Sequence, residues 1–160
     1  MHTAQITPDY LRNLIAELTS RIAGRALDAN LQIWLNEEVG PQSNLYQDIE
    51  TACKVGLRDG WLCNERYPGG TRFGRIFEPA SDLYDYSVDV VEMINVAAPY
   101  HIHPKGEIDL ILPQEEGARF EGHGAGWLVQ HPGSGHSPVV EGGRALILYM
   151  LPGGEIQFTP

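Results

Sequence analysis

Two patterns of apolar spacing divide the chain near residue 60. Before it, apolar residues recur every three or four positions, the period of an amphipathic helix. Thr7 is a helix cap with Pro8 at the first helical position, and Leu11, Leu14, Ile15, Leu18 and Ile22 form the stripe up to Gly24. Asp28 caps a second, short helix with Leu31, Trp34 and Leu35 on one side, ended by Gly40-Pro41. Ser43 caps a third, carrying Leu45, Ile49, Ala52, Cys53 and Leu57 and stopping at Gly60. Residues 1–60 therefore predict a helical segment whose apolar stripes must cover something, and the sheet that follows is the obvious partner.

From about residue 61, short β-rich runs alternate with Gly/Pro turns. The pattern predicts strands at Arg72–Phe77, Tyr86–Val96, Tyr100–His103, Ile108–Leu112, Ala118–Glu121, Gly126–Gln130, Ser137–Val140, Ala145–Leu151 and Glu155–Phe158. Helices first and strands afterwards exclude alternating βαβ units and favour a mainly β antiparallel sandwich or barrel over residues 61–160, in one structural unit with the helices. Tyr86–Val96 breaks the two-residue period, because Val88 and Val90 lie on one parity and Val91 and Met93 on the other. A bulge or burial on both faces accounts for this equally well.

Charge narrows the function classes. The chain has 160 residues, 21 acidic against 11 basic, and a formal net charge of −10. With no basic run, nucleic acid and anionic membrane surfaces are poor partners. No apolar run approaches the ~18 residues of a membrane span, and the first residues lack a signal-peptide pattern, so a soluble, cytoplasmic protein is expected. Cys53 and Cys63 lack metal-type spacing and read as reduced thiols.

Chemistry concentrates in His101-Ile-His103-Pro-Lys-Gly-Glu107. Alternation on a strand points His101 and His103 the same way, and the Pro104/Gly106 turn lets Glu107 return towards them. Two imidazoles and a carboxylate are a ligand set for a borderline divalent metal. A second segment, Gly126-Trp-Leu-Val-Gln-His131-Pro132-Gly-Ser-Gly-His136, ends an apolar strand in a turn and then presents a histidine. His136 is the candidate fourth ligand and His131 its competitor. His123, between two glycines, reads as an exposed turn residue; His2, near the start of the chain, reads as disordered, and Lys105, in the ligand turn, as solvated.

These two segments resemble the two-part metal motif of the cupin superfamily, His-x-His-x(3–4)-Glu followed by Pro-x-Gly-x-x-His. The second part departs in glycine spacing and is one residue short. A closer resemblance covers nearly the whole chain: its length, helical start and both segments look like the 4-hydroxylaminobenzoate lyase family of bacterial nitroaromatic degradation. The resemblance implies a cupin-type antiparallel β-barrel (jelly roll) with an N-terminal helical segment. It implies an ammonia-releasing lyase of aromatic catabolism that converts 4-hydroxylaminobenzoate to 3,4-dihydroxybenzoate. It also implies a divalent transition metal (Fe, Mn, Ni or Zn), a small aromatic carboxylate as substrate, and, by fold analogy, a homodimer.

Further residues carry two readings each. Arg72 and Arg75 suit bidentate recognition of the substrate carboxylate, or surface ion pairing. Glu92 and Asp89, in an otherwise apolar strand, act as general acid or base if they face inwards and are solvated if they do not. Glu107 and Glu92 are the candidate catalytic carboxylates. Trp127 and Tyr149 stack on a substrate ring or pack the core, and Tyr100 reads as core. Alternatives to the lyase are a metal-dependent cupin dioxygenase acting on a small aromatic, and a non-catalytic ligand-binding cupin.

Overall fold

The computed structural model describes residues 5–67 and 71–158; His2 lies outside them. The three helices form where capping and periodicity place them: α1 (Pro8–Ile22), α2 (Ala29–Glu38) and α3 (Asn44–Asp59). Thr7, Asp28 and Ser43 each accept a hydrogen bond from a first-turn backbone N–H, and Gly60 ends α3 in a left-handed conformation.

Ten strands follow among the described residues: β1 (Glu65–Arg66), β2 (Arg72–Phe77), β3 (Tyr86–Ala97), β4 (His101–His103), β5 (Glu107–Pro113), β6 (Arg119–Phe120), β7 (Gly126–Gln130), β8 (Ser134–His136), β9 (Val139–Pro152) and β10 (Gln157–Phe158). The runs expected at Ser137–Val140 and Ala145–Leu151 are one long strand, β9, and the short strand before it is β8. Gly142 and Gly143, both at positive φ, lie in the stretch of β9 opposite Asn95 where the register with β3 shifts, and pairing resumes at Val140 and Arg144 on either side of them.

The strands build two antiparallel sheets. The larger runs β1-β2-β3-β9-β5-β7, with β6 also paired to β9, and the smaller runs β10-β4-β8. This is the mainly β, jelly-roll type of architecture with a helical N-terminal segment. Its hydrogen-bond ladder forms two facing sheets rather than one closed barrel.

The large sheet is buried on both faces. Val88, Val90, Leu110, Leu146, Leu148 and Met150 join the helix residues Leu11, Ile15, Leu18, Leu31 and Ile49 in one core. Val91, Met93, Ile111, Ile147 and Tyr149 join Phe120, Leu128 and Val140 in a second core on the opposite, inner face. That double burial explains the broken period of β3. A bulge follows at Asn95, which has a positive φ, but it comes after the ambiguous residues.

The polar side of α2 has a role that periodicity does not show. Gln32 Oε1 accepts from Val129 N at 2.9 Å, and Asn36 accepts from Trp127 N at 2.8 Å and donates to Trp127 O at 3.0 Å. The helix thereby closes the free edge of β7, which would otherwise offer an unpaired ladder.

Candidate metal centre and adjoining cavity

The centre is built where the two sheets face each other. His101 and His103 alternate with Ile102 on β4, so both rings leave the small sheet on one side. The turn at Gly106 then carries the chain into β5 of the large sheet. Gly106 N donates to His103 O at 3.1 Å with φ +88°, and a Cβ there would meet Gln130 O at 2.7 Å. Only glycine fits that turn without displacing backbone. Glu107 therefore approaches the two histidines from the opposite sheet. β8 lies antiparallel to β4 and sets His136 directly opposite His101 and Ser134 opposite His103.

Each of His101, His103, Glu107 and His136 offers one donor atom, all within 4.8 Å of one another. The Nε2 atoms of His101, His103 and His136 stand 3.7, 3.2 and 3.7 Å from the Glu107 carboxylate. These three nitrogens and both Glu107 oxygens are buried and have no hydrogen-bond partner of proper geometry. The opposite nitrogens are engaged: His101 Nδ1 lies 3.3 Å from Pro99 O, His103 Nδ1 3.1 Å from Ser134 Oγ, and His136 Nδ1 2.7 Å from Glu121 Oε1. Buried polar groups without partners are costly. Three imidazoles and a carboxylate with free inner atoms and fixed outer ones fit a divalent transition metal.

Charge is tuned by the same contacts. Burial opposes ionisation of Glu107, but the three imidazoles outweigh it and hold its carboxyl well below the usual range. Burial opposes protonation of His136, yet Glu107 and Glu121 raise it. Asp109, two residues along the same face, is pushed well above the usual range by burial and then by the charge of Glu107. Gln130 Nε2 donates to Asp109 Oδ2 at 3.3 Å.

A cavity of about 220 Å³ adjoins the cluster, with His101 in its wall. Tyr67, Phe73, Val91, Pro99, Tyr149 and Phe158 give it a largely apolar, aromatic lining, and Glu65, Arg75 and Asp89 supply charge. Tyr67 and Phe73 stack at 4.1 Å between ring centroids. Arg75 Nε and Nη2 donate to Asp89 at 3.1 and 3.3 Å, whereas Nη1 reaches only exposed Glu78, at 3.5 Å. Burial, only partly offset by Arg75, raises the Asp89 carboxyl.

The other candidate residues fall elsewhere. Glu92 pairs across the ladder with Leu146, on the helix side of the sheet, and is held by Arg72 at 2.7 and 2.9 Å and by Arg144 at 2.8 Å. Neither Glu92 nor Arg72 meets the cluster, because strand parity sends both to the wrong face. Trp127 also faces the helices and donates its Nε1 proton to Val39 O at 2.8 Å. His131 is exposed and apart from the cluster, as is His123. Tyr100 is 45% exposed rather than core, lying against Gly135. Lys105 pairs with Glu155 at 2.7 Å, and Cys53 and Cys63 are buried free thiols. Asp109, Glu121 and Ser134 also stand at the cluster, outside the residues that motif spacing picks out. Alternation from Glu107 would have put Asp109 on the same face; nothing in the sequence marked Glu121 or Ser134.

The chain is similar to known proteins over nearly its whole length. The sequence model of a family described as "PnbB: 4-hydroxylaminobenzoate lyase" matches residues 13–158. The chain is 36% identical to a 4-hydroxylaminobenzoate lyase of Nocardioides sp. (strain LMS-CY), over 99% of this chain and 96% of that one. It is 32% identical to a 4-hydroxylaminobenzoate lyase of Pseudomonas putida, over 94% of each. Among solved structures, DMSP lyase DddQ from Ruegeria pomeroyi DSS-3 aligns at 16% identity and a TM-score of 0.42, over 96% of this chain and 98% of that one.

Proposed function

The chain belongs to the 4-hydroxylaminobenzoate lyase family, and from that premise we propose that it converts 4-hydroxylaminobenzoate to 3,4-dihydroxybenzoate and ammonia. The observation that supports metal assistance is the cluster itself: three Nε2 atoms and a carboxylate converge, buried and unpartnered, beside an aromatic cavity. His101, His103, Glu107 and His136 would hold the metal. Bound there, a divalent ion supplies Lewis acidity and lowers the pKa of a coordinated water.

The chain's own residues do the rest. The reaction is redox-neutral: one water enters and one ammonia leaves. Arg75 receives the substrate carboxylate through Nη1, exchanging its weak contact with Glu78, while Asp89 holds the guanidinium in place. Tyr67, Phe73, Tyr149 and Phe158 hold the ring and limit water to the molecules consumed. The proposal extends to a cytoplasmic homodimer, which light scattering at micromolar concentration checks. No helix among the described residues is long and apolar enough to cross a membrane.

The test is to incubate purified, metal-replete protein with 4-hydroxylaminobenzoate without oxygen and to measure 3,4-dihydroxybenzoate and ammonia. Equimolar products are expected. Absence of both, or turnover that requires and consumes oxygen, would overturn the reading.

A further inference from the structure

His136 is the least enclosed of the three converging histidines, its side chain 15% exposed against 3% for His101 and 0% for His103. Its Nδ1 partner also differs in kind. His101 and His103 face a carbonyl and a hydroxyl, both neutral, whereas His136 faces the Glu121 carboxylate at 2.7 Å.

Glu121 is held there at a conformational cost. It is a non-glycine residue at φ +51°, followed by Gly122 at φ +79°. Its N–H donates to Val139 O at 2.9 Å, and Phe120 and His123 exchange backbone hydrogen bonds of 2.8 and 2.9 Å around the turn. Left-handed backbone at a residue with a Cβ persists when the surroundings over-determine it. Among the described residues Glu121 pairs with no lysine or arginine, so no surface ion pair explains its position.

We infer that Glu121 is a positioning residue for the metal centre, acting through His136. This rests on the reading that the cluster holds a metal. A carboxylate only accepts, so Nδ1 of His136 carries the proton and Nε2 presents a lone pair towards Glu107. The charge also makes His136 a stronger donor than a neutral partner would, and the hydrogen bond fixes the ring of the most weakly packed ligand.

The test uses the full chain, stripped of metal and titrated with Co²⁺, following its visible absorption. Glu121→Ala weakens Co²⁺ binding by about 10–100-fold, the usual cost of losing such a partner. Glu121→Gln, whose amide oxygen still accepts from Nδ1, falls between Ala and wild type. Glu121→Asn, at home in left-handed backbone, keeps the metal-free melting temperature at or above wild type while losing affinity and changing the absorption bands. Wild-type affinity and spectrum in all three variants, with binding lost in His136→Ala, would overturn the role of Glu121 and leave the metal centre standing. Failure of wild type itself to bind Co²⁺ would overturn both.

Discussion

Two arginine–carboxylate groups cross the same pair of strands and have opposite fates. Arg72 faces Glu92, and Arg75 faces Asp89, on β2 and β3. Each partner lies three residues from its counterpart, an odd number, so the two pairs occupy opposite faces of the sheet. The Arg72–Glu92 pair, joined by Arg144, ties strands together on the helix side. The Arg75–Asp89 pair opens on the cavity beside His101. The same residue types in the same strands are structural on one face and available for chemistry on the other. Titration separates them too: Arg72 first, against burial, pulls the Glu92 carboxyl down, whereas burial pushes Asp89 up.

This contrast can be broken in several ways. The largest effect belongs to the centre on the inner face: His103→Ala abolishes stoichiometric metal binding and lowers kcat/KM by more than ~100-fold, the upper range for losing only a supporting partner. Arg75→Ala raises KM for the aromatic carboxylate by about 10–100-fold, the worth of a charge-assisted hydrogen bond. Arg72→Ala leaves kcat/KM within about twofold but destabilises the fold by about 1–2 kcal/mol, a discounted figure because that pair is partly solvated. Denaturant unfolding together with steady-state kinetics separates the two arginines.

The carboxylates should also differ in sign. Glu92 binds its proton less tightly folded than unfolded, so its stabilisation is present above pH 4.5, its ordinary value, and is lost as pH falls further; Glu92→Gln flattens that acid limb. Asp89 binds its proton more tightly when folded, so its contribution falls as pH rises from 3.8 through its raised value. Asp89→Asn therefore unfolds no more easily than wild type at neutral pH, yet loses turnover. The smallest effect is Trp127→Phe, which costs about 1 kcal/mol for the lost bond to Val39 and leaves kinetics unchanged.

Local signals were legible in the sequence because their causes are local. Thr7, Asp28 and Ser43 cap where their side chains reach first-turn N–H groups, and His101, His103 and Glu107 converge through alternation and a glycine turn. What was hidden depends on which face meets which layer. Glu92 and Asp89 could not be told apart while both parities of β3 looked apolar, and only helices on one side and the small sheet on the other resolve them. The same holds for Trp127, a ring as suited to a substrate as to the Val39 carbonyl beneath α2. Glu121 comes from a turn whose backbone no periodicity specifies.

Everything proposed for this protein turns on the inner-face cluster of His101, His103, Glu107 and His136 holding a metal that supports lyase chemistry. The most direct measurement is anaerobic product formation from 4-hydroxylaminobenzoate by wild-type protein as isolated, after chelator stripping, and after reloading, with metal content determined alongside. About one divalent ion per chain is expected, with activity lost on stripping and regained on reloading. Undiminished turnover by protein shown to be metal-free would contradict it.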